Sequence, residues 1–130
     1  MNAEWVRTFC NSLPHVSEQV QWGNDLVFKI GGKMFAVTCL DPADNWVSFK
    51  TDPEGFAELT DRVGVIPAPY LARAHWVALQ TPKALTQTEL RDRLKAAYNL
   101  VLEKLPKKAR AALESPAAPQ PRKRAAARGR

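Results

Sequence analysis

Two adjacent glycines, Gly31-Gly32, stand between two strand-like segments, Leu26–Ile30 and Lys33–Leu40. Glycine accepts positive φ without steric cost, and a two-residue link rich in it favours a tight antiparallel hairpin. The turn sets a register. It predicts Ile30 opposite Lys33 and, two steps on, Phe28 opposite Phe35. Asp41–Asn45 reads as a loop and Trp46–Lys50 as a further short strand. Residues 26–50 therefore predict a three-stranded antiparallel meander. A chain committed to such a sheet must cover at least one of its faces with the remaining residues.

The remaining residues supply helices. Trp5, Val6, Phe9, Cys10 and Leu13 recur at helical spacing, with Asn2 placed to cap the start and Pro14 to end the run. Val16, Glu18, Val20 and Trp22 alternate, which predicts a strand leading to Gly23-Asn24-Asp25. Asp52-Pro53-Glu54 is a helix start, with Phe56 and Leu59 facing inward. Val63–Leu71 contains Gly64, Pro67 and Pro69 and predicts no regular element. His75–Leu79 reads as a last strand. Thr86 and Glu89 form a capping box. Behind it Leu90, Leu94, Ala97, Tyr98, Val101 and Leu102 trace one face of a helix of about five turns. Pro106 breaks it, and 107–113 adds another turn or two. The expected architecture is an α+β two-layer sandwich. Four or five antiparallel strands carry helices on one face, and the other face is open to water.

At 130 residues the chain holds one domain and a tail. The boundary is drawn at 114/115. Lys and Arg number 19 against 13 Asp and Glu, a net charge of +6. Five of those cations, Arg122, Lys123, Arg124, Arg128 and Arg130, lie in 115–130, which holds no acid. The body is thus near neutral, and the basic character belongs to the tail. The tail is Pro, Ala, Arg and Lys with no large apolar residue, so it is expected to be disordered. No apolar run approaches the roughly 20 residues of a membrane span, and no secretion signal is visible. Cys10 and Cys39 fall on an apolar helix stripe and in an apolar strand. They read as small buried hydrophobes, and the expected compartment is the cytoplasm.

Several segments together resemble the MmcQ/YjbR family of small bacterial proteins. They are Phe28-Lys29, Gly32–Ala36, Ser48–Glu54, Pro67–Arg73, His75–Val77 and Ala97–Val101. The resemblance spans about residues 3–113. It implies a frataxin-like (CyaY-like) fold and a DNA-binding role of a double-wing type. The chain departs from that pattern at Leu71-Ala72-Arg73-Ala74, where polar and basic residues are expected before the Trp of the last strand. Frataxins bind iron through clustered acids on the first helix, which here carries only Glu4, with Glu18 the next acid. An iron role does not carry over.

No catalytic motif stands out. His15 and His75 lack Cys or His neighbours at metal-ligand spacing. Gly31-Gly32-Lys33 lacks the GxxxxGK[ST] pattern and precedes a strand. No cofactor is expected, and the chain reads as non-enzymatic, a monomer or weak dimer.

Binding is the better prospect. If Phe28, Phe35, Val37, Val47 and Phe49 face the helices, alternation sends Lys29, Met34, Trp46, Ser48 and Lys50 to the other face. Trp76 and Arg73 lie nearby in this reading. Bases stack on aromatic rings while cations meet phosphates, so Lys29, Lys33, Trp46, Lys50, Arg73 and Trp76 form a candidate DNA or RNA surface. The tail cations, with Arg122-Lys123-Arg124 at their centre, would add affinity by releasing counterions. The competing reading packs both tryptophans under a loop and treats the lysines as strand-edge protection. A third places a small-molecule or protein partner against Tyr70, His75 and Trp76.

Overall fold

The computed structural model describes residues 1–41 and 44–114. The order is α1 (Ala3–Asn11), β1 (Ser17–Gln21), β2 (Asp25–Ile30), β3 (Lys33–Cys39), β4 (Val47–Lys50) and α2 (Pro53–Thr60), followed by β5 (Val65–Pro67), a 3-10 turn (Ala72–Ala74), β6 (Trp76–Leu79), α3 (Gln87–Lys104) and α4 (Lys107–Glu114). The six strands form one sheet in the order β1-β2-β3-β4-β6-β5, and every pairing is antiparallel.

The caps are those the sequence predicts. Asn2 Oδ1 accepts from the Trp5 backbone N–H, and Asp52 Oδ1 from that of Gly55. The Thr86 and Glu89 capping box closes in both directions, which fixes where α3 starts. Apolar residues of α1, α2 and α3 then meet one face of the sheet. Val6, Cys10, Leu59, Leu90, Leu94 and Val101 are buried against Leu26, Phe28, Ile30, Phe35, Phe49 and Leu79. This is the expected helix layer.

Three expectations are corrected. First, Val65–Pro67 is a strand despite its breakers. It lies at the sheet edge, where a proline without an N–H is tolerated. Second, Phe28 pairs with Ala36, not Phe35, because the register shifts between Phe28 and Lys29 after the predicted Ile30–Lys33 pair. The extra residue is a β-bulge, so Phe35 and Ala36 both join the helix-side core. Beyond the bulge the alternation is inverted. Val37 turns away from the helices, and Thr38 turns toward them with its hydroxyl donating to the Trp46 carbonyl at 2.9 Å.

Third, the face away from the helices is not open along its length. Val27, Val37, Trp76 and Ala78 form a second, smaller apolar cluster with Ala68, and Met34, Ile66 and Leu71 pack on it. The 68–75 segment is the lid of that cluster. It is held by the Ala68 N–H to the Trp76 carbonyl and the Trp76 N–H to the Leu71 carbonyl.

Candidate functional site

The antiparallel register places the predicted cations together. Lys33 opens β3 opposite Ile30, Lys50 ends β4 opposite Trp76, and Arg73 lies on the 3-10 turn just before Trp76. Lys29 is one residue from the end of β2. All four stand at the end of the sheet that carries the Gly31-Gly32 turn. That end also receives the C-terminus of α3, because Leu105 packs directly over Gly31. Lys104, Lys107 and Lys108 arrive with it, all exposed. Sequence reading missed these three. The capping box and Pro106 fix the helix and its direction, but only the tertiary packing brings its last turn to the hairpin.

The cations differ in freedom. Lys33 and Arg73 are exposed. Lys29 Nζ donates to Gln19 Oε1 at 3.1 Å, a neutral partner. Lys50 Nζ donates to the Ala74 carbonyl at 3.0 Å. Burial, with a smaller contribution from Lys104, holds the Lys50 pKa below the usual lysine value. The three ion pairs among the described residues are Arg7–Glu18, Arg62–Glu89 and Arg93–Glu58. None uses a cation of this end. Asp52, Glu54 and Glu103 are acids near it, and the Asp52 carboxylate is engaged as the α2 cap.

The aromatic half of the predicted surface is corrected. Trp76 is 3% exposed, beneath the 68–75 segment. Trp46 is 4% exposed and belongs to the helix-side core, on the opposite face. Trp46 precedes β4, so strand alternation does not govern it. Neither ring is available for base stacking.

Tyr70, His75 and Trp76 stand in three different environments, with Trp76 in the cluster under the 68–75 segment. Tyr70 is fully exposed at φ +66°. The half-buried His75 packs edge-on against Phe56 with centroids 5.6 Å apart, while its carbonyl accepts from the Thr51 N–H at 2.9 Å and the Thr51 hydroxyl at 2.7 Å. A shallow cleft of about 220 Å³ lies elsewhere, between Lys50–Asp52 and the Arg93–Glu103 side of α3. Among the described residues, no three His, Cys, Asp or Glu side chains gather as a metal site.

Glu18, the next acid after Glu4, is committed to structure. Arg7 donates to it through Nε at 3.0 Å and Nη2 at 2.9 Å, and Asn11 at 2.7 Å. Burial opposes the carboxylate charge, but the Arg7 and Asn11 hydrogen bonds prevail and its pKa falls. The thiols of Cys10 and Cys39 are unpaired, and burial pushes them up to about 12 and about 11. No helix among the described residues is long and apolar enough to cross a membrane. Arg122, Lys123 and Arg124 lie outside the described residues.

The fold and its charged end thus define a small α+β protein with an antiparallel sheet, a helix layer and a basic hairpin end. The model of the YjbR family matches residues 11–100, and the chain belongs to that family. It is 27% identical over 108 residues to the Escherichia coli O157:H7 "Uncharacterized protein YbdF", covering 81% of this chain and 88% of that one. The crystal structure of Deinococcus radiodurans protein DR2400, a DUF419 domain, superposes with a TM-score of 0.76 at 28% identity, covering 92% of this chain and 93% of the other. A Pseudomonas syringae protein shares the fold at 17% identity, with a TM-score of 0.64 over 77% of this chain and 98% of that one.

Proposed function

We propose that the protein is a non-enzymatic nucleic-acid-binding module that reads phosphates and not bases. The carrying observation is the gathering of Lys29, Lys33, Lys50 and Arg73 at one sheet end with Lys104, Lys107 and Lys108, none of them in an ion pair among the described residues. Phosphate contacts position a protein on nucleic acid without conveying sequence. Burial of Trp46 and Trp76 takes away the two rings that the sequence reading offered for base stacking. The mode is therefore electrostatic. Tail cations supply diffuse affinity, and the hairpin end supplies a fixed docking point.

Salt dependence tests this. Each phosphate neutralised contributes about −0.9 to the log–log slope of affinity against salt on duplex DNA. Five tail cations give about −4 to −5, and the seven cations of the sheet end, fully engaged, would add about −6. Duplex DNA and RNA binding is measured for the full chain, for residues 1–114, and for the full chain bearing Lys33→Glu, Lys107→Glu and Lys108→Glu. The proposal expects residues 1–114 to keep a measurable slope and the triple variant to lose part of the full one. Loss of all binding with the tail, and no effect of the triple variant, overturns the role of the body.

A further inference from the structure

The opposite end of the β1–β3 side of the sheet has the reverse chemistry. Asp25 begins β2, Asp41 and Asp44 lie in the loop after β3, and none is in an ion pair among the described residues. Beside them is apolar surface that no helix covers. Val20 is 56% exposed, Trp22 63% and Leu40 48%. Val20 pairs with Leu26, which pairs with Thr38, so Val20 and Leu40 share the helix-side face of the sheet beyond the reach of the helix layer. The Leu40 N–H donates to the Asn24 carbonyl at 2.8 Å, which ties Leu40 to the turn that carries Trp22.

We propose that the chain's own C-terminal segment, Ser115–Arg130, docks on this acidic and aromatic end. The segment carries five cations and no acid, and its Pro116-Ala117-Ala118-Pro119-Gln120-Pro121-Arg122 run sets prolines just before the first arginine. Proline-rich segments favour the polyproline II conformation and dock on exposed aromatic rings, with little conformational entropy to lose. An arginine beyond the prolines adds a cation over the Trp22 ring and a partner for the carboxylates. Prolines lack the N–H a ladder requires, so the segment docks on side chains and does not extend the β1 edge.

Length permits the contact. In polyproline II geometry Arg122 lies about 25 Å from Glu114 and Arg130 about 50 Å. A domain of this size is about 35 Å across. Docking engages the same cations that the phosphate-binding reading uses, but it does not depend on that reading.

The test is made on the full chain by amide and indole NMR. Wild type is compared with a variant in which Arg122, Lys123, Arg124, Arg128 and Arg130 are all replaced by Gln. Trp22→Phe assigns the Trp22 indole signal. In low salt, docking predicts that the Trp22 indole and the amides of Val20, Asn24 and Leu40 differ between wild type and the Gln variant. The difference is lost toward 1 M salt, where the Debye length falls to about 3 Å. It is independent of protein concentration when the tail docks on its own body. Superimposable signals in the two proteins, shifts confined to another surface, or a difference that grows with concentration each overturn the proposal.

Discussion

The Tyr98 hydroxyl donates a 2.7 Å hydrogen bond to the Pro14 carbonyl, joining α3 to the segment after α1 across 84 residues of sequence. The same ring stands edge-on to Phe35, with centroids 5.6 Å apart and planes at 84°. Tyr98 thus fastens the N-terminal helix, the bulged strand and the long helix together. Tyr98→Phe keeps the ring contact and removes only the donor. The expected cost is about 0.5–1.5 kcal/mol, at the low end because water can replace the donor at exposed Pro14. Urea denaturation checks this, and an equal or larger loss for Pro14→Ala would argue that the backbone, not the hydroxyl, carries the contact.

Acid should weaken the start of α3. The Arg62 guanidinium, aided by the Thr86 backbone N–H, holds the Glu89 carboxyl down at about 2. A carboxylate whose pKa is lower folded than unfolded stabilises above the unfolded value, about 4.3, and that contribution is lost as pH falls through the folded value. Both side chains of the pair are about 40% exposed, so solvent screening keeps it to about 0–1 kcal/mol. Glu89→Gln should flatten the stability profile between about pH 4.5 and pH 2, seen in denaturant titrations at each pH. Thr86→Ala should cost about 1 kcal/mol at neutral pH.

The two hairpin glycines should not be equivalent. Both have positive φ, +59° at Gly31 and +81° at Gly32. A Cβ on Gly31 would come within 2.6 Å of a Leu105 methyl, whereas one on Gly32 meets nothing within 4 Å. Gly32→Ala incurs backbone strain of about 1–2 kcal/mol. Gly31→Ala adds overpacking of about 1 kcal/mol, at the low end because the Leu105 side chain can shift away. Thermal melts of the two variants rank them, and equal losses would refute the contact.

Lys50 has one structural contact and one proposed phosphate contact, which experiments must separate. Its Nζ bond to the Ala74 carbonyl pins the 3-10 turn above Trp76. Lys50→Met should cost about 1 kcal/mol and speed hydrogen exchange at Ala74 and His75. Lys33→Met, on an exposed side chain, should leave exchange unchanged. A loss of nucleic-acid binding in Lys50→Met counts against the phosphate contact only if Lys33→Met binds normally.

Most of the fold was legible in the chain because local chemistry dictates it. Asn2, Asp52 and Thr86 cap helices through atoms within three residues, and Gly31-Gly32 closes a turn. The β5 strand was not legible, since Pro67 is tolerated only at an edge and sequence does not say which strand is the edge. The candidate site was legible in part. Lys29, Lys33, Lys50 and Arg73 do fall at one end of the sheet, but Trp46 and Trp76 were assigned to a surface they do not reach.

Sequence alone determined the helices and their caps, every strand but β5, the hairpin turn and the concentration of basic residues after residue 114. These are set by φ preference, by hydrogen-bond donors a few residues away, and by side-chain periodicity. Tertiary structure decided the rest. One bulge at Phe35 inverted the facing of every later residue in β3, because side chains alternate with a period of two. The 68–75 segment, not solvent, covers Trp76. The basic end exists only because α3 runs antiparallel to β3, alongside β4, and delivers Lys104 and Leu105 to the hairpin. Register shifts and long-range packing arise from contacts between residues far apart in the chain, and no local pattern encodes them.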